Sequence, residues 1–407
     1  MIMAPMLPFV RRAFNTGLPP SEFTNQWKHP KDAFVVLMIL GGDIVARALA
    51  QLVGSCLTPV AFSFGWVAYA ITAVVSVIGE KKLMPPADFP CKVINGENGY
   101  VRDNRSWIIG RMVRDFDSWK DKQPRAPGVP DLPANPVQTR VEQIIDLKWG
   151  ELRQRARDRR EPEPERPLKA GLCVSIYNAK QATKGYPGYS APYIVGLCTG
   201  IVQLGVSAIP YGIFRDWSIL LVTGSGIVLS FVSGALSQWS KEKWACRTKT
   251  KKTVVLTCGN GSQHAIVIRG TGLGLDLEDL AAPDAGPSSR WGTNLAVIVL
   301  GILWILLLIT ASGITENTWF LIAVGGMGML HNMYVAGISR PPKAFGVPLE
   351  FVEVIGMPKV MDALFEVEHK YYDLGKSMLP TFFPGRLNEE EQNRWDRYEE
   401  IAKGSRR

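Results

Sequence analysis

Histidine is scarce in this sequence: His29, His264, His331 and His369 are scattered along 407 residues. None stands at zinc-finger spacing, which argues against a Cys/His zinc site. The six cysteines, Cys56, Cys91, Cys173, Cys198, Cys246 and Cys258, form no CxxC pair. They read as unpaired thiols acting as small apolar residues. No GxSxG, HExxH or Walker A motif occurs, which argues against the enzymes built on those signatures. A secretory signal is also missing. The apolar run in MIMAPMLPFVRRAF is short, and its Arg pair follows it rather than preceding it. The lack of acids before Glu22 leaves room for a mitochondrial presequence.

Long apolar runs are what the sequence does have. Leu295 to Gly313, LAVIVLGILWILLLITASG, holds about 19 residues without a charge, close to the ~20 that cross a bilayer core. A short turn, ITENT, leads to a second run from Trp319 to about Ile338. Two such segments joined so tightly make a transmembrane hairpin. The pattern recurs twice. Ala33 to Gly54 and Val60 to Gly79 are joined by SCLTP, and APYIVGLCTGIVQLGVSAIPYGIF and WSILLVTGSGIVLSFVSGALSQW are joined by Arg215-Asp216. The latter pair is rich in Gly and Ser, which close helix contacts in bilayers use. The expected fold is an α-helical integral membrane protein with six transmembrane helices in three hairpins, 33–79, 192–239 and 293–338.

Polar segments fill the rest: an arm at 1–32, a long segment at 80–191, a basic segment at 240–292 and a tail at 339–407. The stretch SWIIGRMVRDFDSW repeats Trp107, Ile108, Met112, Asp115 or Phe116, and Trp119 at roughly helical spacing, with Arg111 and Arg114 opposite. Such a basic amphipathic helix suits a membrane interface. A Pro-rich linker, QPRAPGVPDLPANP, separates it from a charged helix within TRVEQIIDLKWGELRQRARDRR. TVVLT and HAIVI flank Asn260-Gly261 and predict a β-hairpin. In the tail, Val360, Leu364 and Val367 share a helix face, and Asn388 caps a charged terminal helix.

The net charge is +9. No aromatic-interleaved basic patch or DNA-reading helix accompanies it, so nucleic acid is not an expected partner. Its Lys and Arg instead crowd one side of every hairpin. The three turns hold one Arg, whereas Arg11, Arg12, Lys28, Lys31, Lys81, Lys82, the Lys241–Lys252 cluster, Arg340 and Lys343 flank the other ends. The positive-inside rule then places both termini and both long loops in the cytoplasm. The sequons at Asn104 and Asn260 would go unglycosylated there. Which membrane is involved is left open.

SIYNAKQ, DWSILLVTGSG, KEKWACR, TCGNGSQHAIVIRG, GLDLEDLA and LPTFFPG carry a resemblance to a family of multi-pass membrane proteins recurring in filamentous fungi. It covers most of the chain from about Pro30 to Gly385. The family brings no assigned catalytic residues. Some members lie near secondary-metabolite genes, which implies a role in or near natural-product biosynthesis.

The candidate site residues are few. Asp43 and Arg47 lie four apart in an apolar run and pair on one helix face. Charges at membrane depth mark function or orient a helix. His331 and Asn332 stand near the inner end of the last span, where a His binds a ligand, moves a proton or is simply satisfied. Asp115 and Asp117 of RDFD superficially resemble the Asp-rich Mg²⁺ motifs of prenyl-handling enzymes. Gly270, Gly272 and Gly274 mimic a dinucleotide loop but lack the βαβ unit it needs. Asp276, Glu278 and Asp279 read instead as a helix start. No cofactor is expected. The leading function is an accessory or scaffolding membrane protein, with the bilayer and other membrane or pathway proteins as partners. The alternatives are a membrane-embedded cyclase or transferase acting on a lipophilic substrate, and a small-molecule transporter.

Overall fold

A computed structural model describes residues 31–55, 57–79, 82–128, 133–282 and 291–405; side chains are described from residue 41 to residue 400. The arm at 1–30, Cys56 and the centre of the Pro-rich linker lie outside the described residues. In chain order the elements are α1 (Lys31–Leu52), α2 (Gly65–Gly79), β1 (Lys92–Asn95), β2 (Val101–Asp103), α3 (Trp107–Arg114), α4 (Phe116–Trp119), α5 (Pro136–Arg159) and β3 (Leu172–Ala179). There follow α6 (Ala191–Phe214), α7 (Ser218–Gly234), α8 (Ser237–Lys243), β4 (Thr248–Thr250), β5 (Val254–Thr257), β6 (His264–Arg269), β7 (Gly274–Leu275) and α9 (Leu277–Ala281). The chain ends with α10 (Trp291–Ser312), α11 (Thr318–Gly337), β8 (Leu349–Met357), α12 (Val360–Lys370), α13 (Leu374–Phe382) and α14 (Glu389–Ser405).

Three helices among the described residues, α6, α10 and α11, are long and apolar enough to cross a membrane, and α7 with α8, bent by 44°, adds a fourth if counted as one span. Six spans are not found. The first expected hairpin is where the count fails. α1 is a helix of 22 residues, but α2 has only 15, roughly 22 Å at 1.5 Å per residue. The chain before it, Leu57 to Phe64, is not helical, and Thr58 to Ser63 are nearly fully buried. This segment starts beside the end of α7, where Thr58 Oγ1 donates to Gly234 O at 3.1 Å. By Phe64 it has reached Gly325 in α11 and by Gly65 it touches Gly41 in α1. α2 then returns to the end it came from, since Leu83 and Met84 donate from their backbone N–H groups to Glu242 Oε2 in α8, both at 2.8 Å. Extended entry plus helical return is a re-entrant loop.

The direction of α1 corrects a second expectation. Gly41 approaches Met329, and Gln51 Nε2 donates to Ile338 O at 3.3 Å. α1 and α11 therefore run parallel, and α1 begins at the end of the bundle opposite the C-terminal tail. The two ends of the described chain do not share a side.

α10, the most apolar helix, buries Val297, Leu300, Gly301 and Trp304 on one stripe and exposes Ile298, Ile302, Leu306 and Ile309. Exposed apolar side chains of this number fit a hydrocarbon surround.

The polar segments fold together rather than forming separate pieces. Six strands make one mixed sheet in the order β2-β1-β5-β6-β3-β8, with β3 and β6 parallel and the other neighbours antiparallel. The expected hairpin is present as β5 and β6, paired Val254 to Ile268 through Thr257 to Ala265. It is one third of a sheet that the local sequence did not disclose. Strand alternation sends Cys173 and Tyr177 to one core, and Leu172, Val174 and Ile176 to the other. α3, α4 and α5 cover the first face, and α12, α13 and Trp395 of α14 the second. The 107–119 stretch is thus not a membrane-interface helix. Ile108, Ile109, Met112, Phe116 and Trp119 are buried against the sheet, and Trp107 is buried beside Arg111.

Candidate functional site

The polar centre of the bundle is built around the re-entrant segment. Thr58-Pro59 begins the non-helical run, and an extended backbone inside an apolar bundle must satisfy its N–H and C=O groups within the protein. Asn332 of α11 does this for Ala61. Its Oδ1 accepts from Ala61 N at 3.1 Å and its Nδ2 donates to Ala61 O at 3.0 Å. Trp66 Nε1 donates to the same carbonyl at 2.9 Å. Gln203 of α6 donates through Nε2 to Phe62 O at 2.7 Å and to Val324 O at 2.8 Å. Trp304 of α10 stacks on the segment's Phe62 at 6.2 Å and on Trp66 at 5.3 Å between centroids. Glycines make the room: a Cβ on Gly328 would stand 1.7 Å from Phe62 O, and one on Gly196 2.1 Å from Pro59 O.

His331 lies beside this node. Its Nδ1 is 3.4 Å from Asn332 Oδ1 and its Nε2 is 3.4 Å from Pro192 O. Both facing atoms accept hydrogen bonds in this arrangement, so a neutral imidazole satisfies one and leaves the other. His331 and Asn332 are brought together, buried, and committed to the fold.

Asp43 and Arg47 are placed differently. They pair at 2.8 Å, as their spacing predicts, but their side chains are 70% and 44% exposed. The pair faces away from the bundle interior. Asp115 and Asp117 do not converge. Asp115 is buried, takes Arg114 Nε at 2.7 Å and accepts from Arg340 N at 3.1 Å. Asp117 is on the surface against Lys120 Nζ at 2.7 Å, and this bond holds its carboxyl below the usual range. No group of three His, Cys, Asp or Glu among the described residues is arranged to hold a metal ion. Gly270 to Gly274 lead into β7, which pairs with β4, and not into a nucleotide-binding helix. Asp276 caps α9 by accepting from Glu278 N and Asp279 N at 3.1 Å each, as the acidic cluster predicts.

A second centre, which the sequence revealed only as flanking charge, lies where the bundle meets the sheet domain. Helix C-termini present carbonyls with partial negative charge. Three buried basic side chains donate to them and to neighbouring loop carbonyls. Arg340 Nη1 donates to Gln51 O at 2.6 Å, and its Nη2 to Pro187 O at 2.9 Å and Gly188 O at 2.7 Å. Lys243 Nζ donates to Gln51 O at 3.2 Å and Val53 O at 2.9 Å. Arg111 Nη2 donates to Ala336 O at 2.6 Å, while its Nε pairs with Asp88 at 2.9 Å. Burial pushes both the Arg111 and Arg340 guanidiniums down to about 10, so both stay charged at neutral pH. Beside this junction is a cavity of about 410 Å³ lined by Lys82, Pro85, Arg105, Trp107 and Lys243 among others.

No protein family, curated protein or solved structure matches the chain.

Proposed function

We propose that the protein is an integral membrane scaffold that holds an α/β domain rigidly against one face of a bilayer. The observation that carries this reading is the set of cation–carbonyl contacts at the junction. Arg111 of α3 ties the end of α11 to the domain, Arg340 N–H donates to Asp115 of the domain while its guanidinium holds the end of α1, and Lys243 of α8 fastens that same end of α1 beside them. Charged donors make such bonds stronger than neutral ones. The bundle then crosses the bilayer five times, through α1, α6, α7 with α8, α10 and α11, with the re-entrant loop as a half-crossing. The Lys241–Lys252 cluster, Arg340 and Lys343 sit on the domain side, which the positive-inside rule puts in the cytoplasm. Support against transport comes from the packing. The cavity between Tyr69, Ser233, Leu300 and Trp304 holds about 10 Å³, roughly one water. Asn332 and the Nε2 of Gln203, polar groups at the centre of the bundle, hold backbone.

On this reading the domain surface recruits pathway proteins to the membrane, and the resemblance suggests natural-product biosynthesis as the setting. Gene deletion with metabolite profiling tests it. A scaffold gives lower product with no new intermediate, and full rescue by a His331→Asn variant. An accumulated uncyclised or unconjugated intermediate would instead establish an enzyme, and intracellular retention of finished product a transporter.

A further inference from the structure

The cavity at the junction has a chemistry of its own. Lys82 and Arg105 are exposed at its rim, and neither forms an ion pair among the described residues. Lys243 forms part of its wall, buried and with its Nζ donating to Gln51 O and Val53 O. The one acid in the wall, Glu242, is already engaged by Leu83 N, Met84 N and Gln238 Nε2. The N-terminus of the eight-residue α3 opens here, capped by Ser106. Trp107, 3% exposed, also lines the cavity, and its Nε1 has no hydrogen-bond partner. The two exposed cations at the rim, beside a helix N-terminus, suit an anion with several acceptor oxygens.

Position selects the source of that anion. The cavity lies at the sheet end of α2, level with the end of α7. Pro85, Pro86 and Met84 give it an apolar side. Ile71, Val75 and Ile78 form an exposed apolar stripe on α2 that leads toward Lys82. A phosphate in the cavity thus has a path for acyl chains running along the bundle. Basic pockets at this level between membrane helices take lipid headgroups. We infer that the cavity rimmed by Lys82 and Arg105 binds the phosphate headgroup of an anionic phospholipid. The inference rests on the bundle lying in a bilayer.

The test uses the full chain purified in detergent and reconstituted into nanodiscs of phosphatidylcholine alone or with phosphatidic acid. Binding of a fluorescent phosphatidic acid is measured for the natural protein and for Lys82→Ala with Arg105→Ala. Both replaced side chains are exposed, and unchanged melting in lipid-free detergent confirms that the variant is folded. The expected result is preferential binding of phosphatidic acid over phosphatidylcholine, weakened roughly 25-fold in the double variant, the loss of two cations near a membrane surface. Equal binding of both lipids, or full preference retained in the double variant, overturns the site. Binding of inorganic phosphate at Lys82 and Arg105 without lipid preference overturns the lipid assignment. Failure to enter nanodiscs at all overturns the membrane reading, and the inference with it.

Discussion

Asn332 pairs with Ala61 as one strand pairs with another: its side-chain amide gives one bond to the carbonyl and takes one from the N–H, at 3.0 and 3.1 Å. A helix has no spare backbone donors to offer an extended neighbour, so a side chain must mimic a peptide. Asn332→Leu should therefore strand the buried Ala61 N–H, leave Ala61 O with Trp66 Nε1 alone, and lower stability by about 1–3 kcal/mol. Thermal unfolding in detergent measures this. A loss below about 1 kcal/mol would mean the re-entrant segment is held by packing alone.

The glycines supply an independent check on the same segment. Gly328→Ala places a methyl against Phe62 O, at a backbone position that cannot move aside cheaply, whereas a Cβ on Gly326 meets nothing within 4 Å. We expect Gly328→Ala to be destabilising by at least about 2 kcal/mol and Gly326→Ala to be neutral or slightly stabilising. Equal effects at the two positions would count against the re-entrant path.

Arg340→Lys tests the junction. Lysine keeps the charge but lacks the planar fork that reaches Gln51 O, Pro187 O and Gly188 O together. The expected loss is about 2–3 kcal/mol, with faster proteolysis between the bundle and the domain. Unchanged protease resistance would show that the domain is not held through this residue.

His264 gives the domain a pH dependence. Burial, reinforced by the nearby Lys120 charge, pushes its imidazole down to about 4, and its Nδ1 has no partner. The folded state keeps the ring neutral, while the unfolded chain takes up a proton near the ordinary value of 6.5. The stabilising effect is complete above pH 6.5 and is lost as pH falls toward 4, on the order of 2–3 kcal/mol in all. His264→Phe, which preserves the edge contact with Phe116, should flatten melting temperature against pH across that window. A slope equal to that of the natural protein would assign the dependence elsewhere.

The apolar runs, the β5–β6 hairpin and the capped tail helix were all legible, because each is written in local periodicity. Asn388 illustrates this: Glu391 N donates to its Oδ1 at 2.8 Å, and its own N–H donates to Glu391 Oε2 at 3.0 Å, a reciprocal cap set by a three-residue spacing. The re-entrant segment was not legible. VAFSFGWVAYAITAVVSVIG has the apolar length of a span, and hydropathy does not distinguish a helix from an extended strand plus a short helix. Thr58-Pro59 and the glycines of α6, α7 and α11 were the available signals, and they gain meaning only when brought together. The sheet was missed for a related reason. β3 pairs in parallel with β6 across some ninety residues (Cys173 with His264), and no local pattern reports its partner. Asp43 and Arg47 were correctly paired by spacing, yet spacing carries no information about which way that face points.

The central claim is that the bundle spans a bilayer with the α/β domain on one side. Sealed vesicles and a membrane-impermeant maleimide test it most directly, in a Cys198→Ala background. Cys258 is exposed on the domain, and Asn317→Cys puts a thiol in the turn between α10 and α11 at the opposite end. The two positions are expected to label from opposite sides, and a Phe62→Cys thiol inside the bundle from neither until detergent is added. Labelling of Cys258 and Asn317→Cys from the same side of intact vesicles would contradict it.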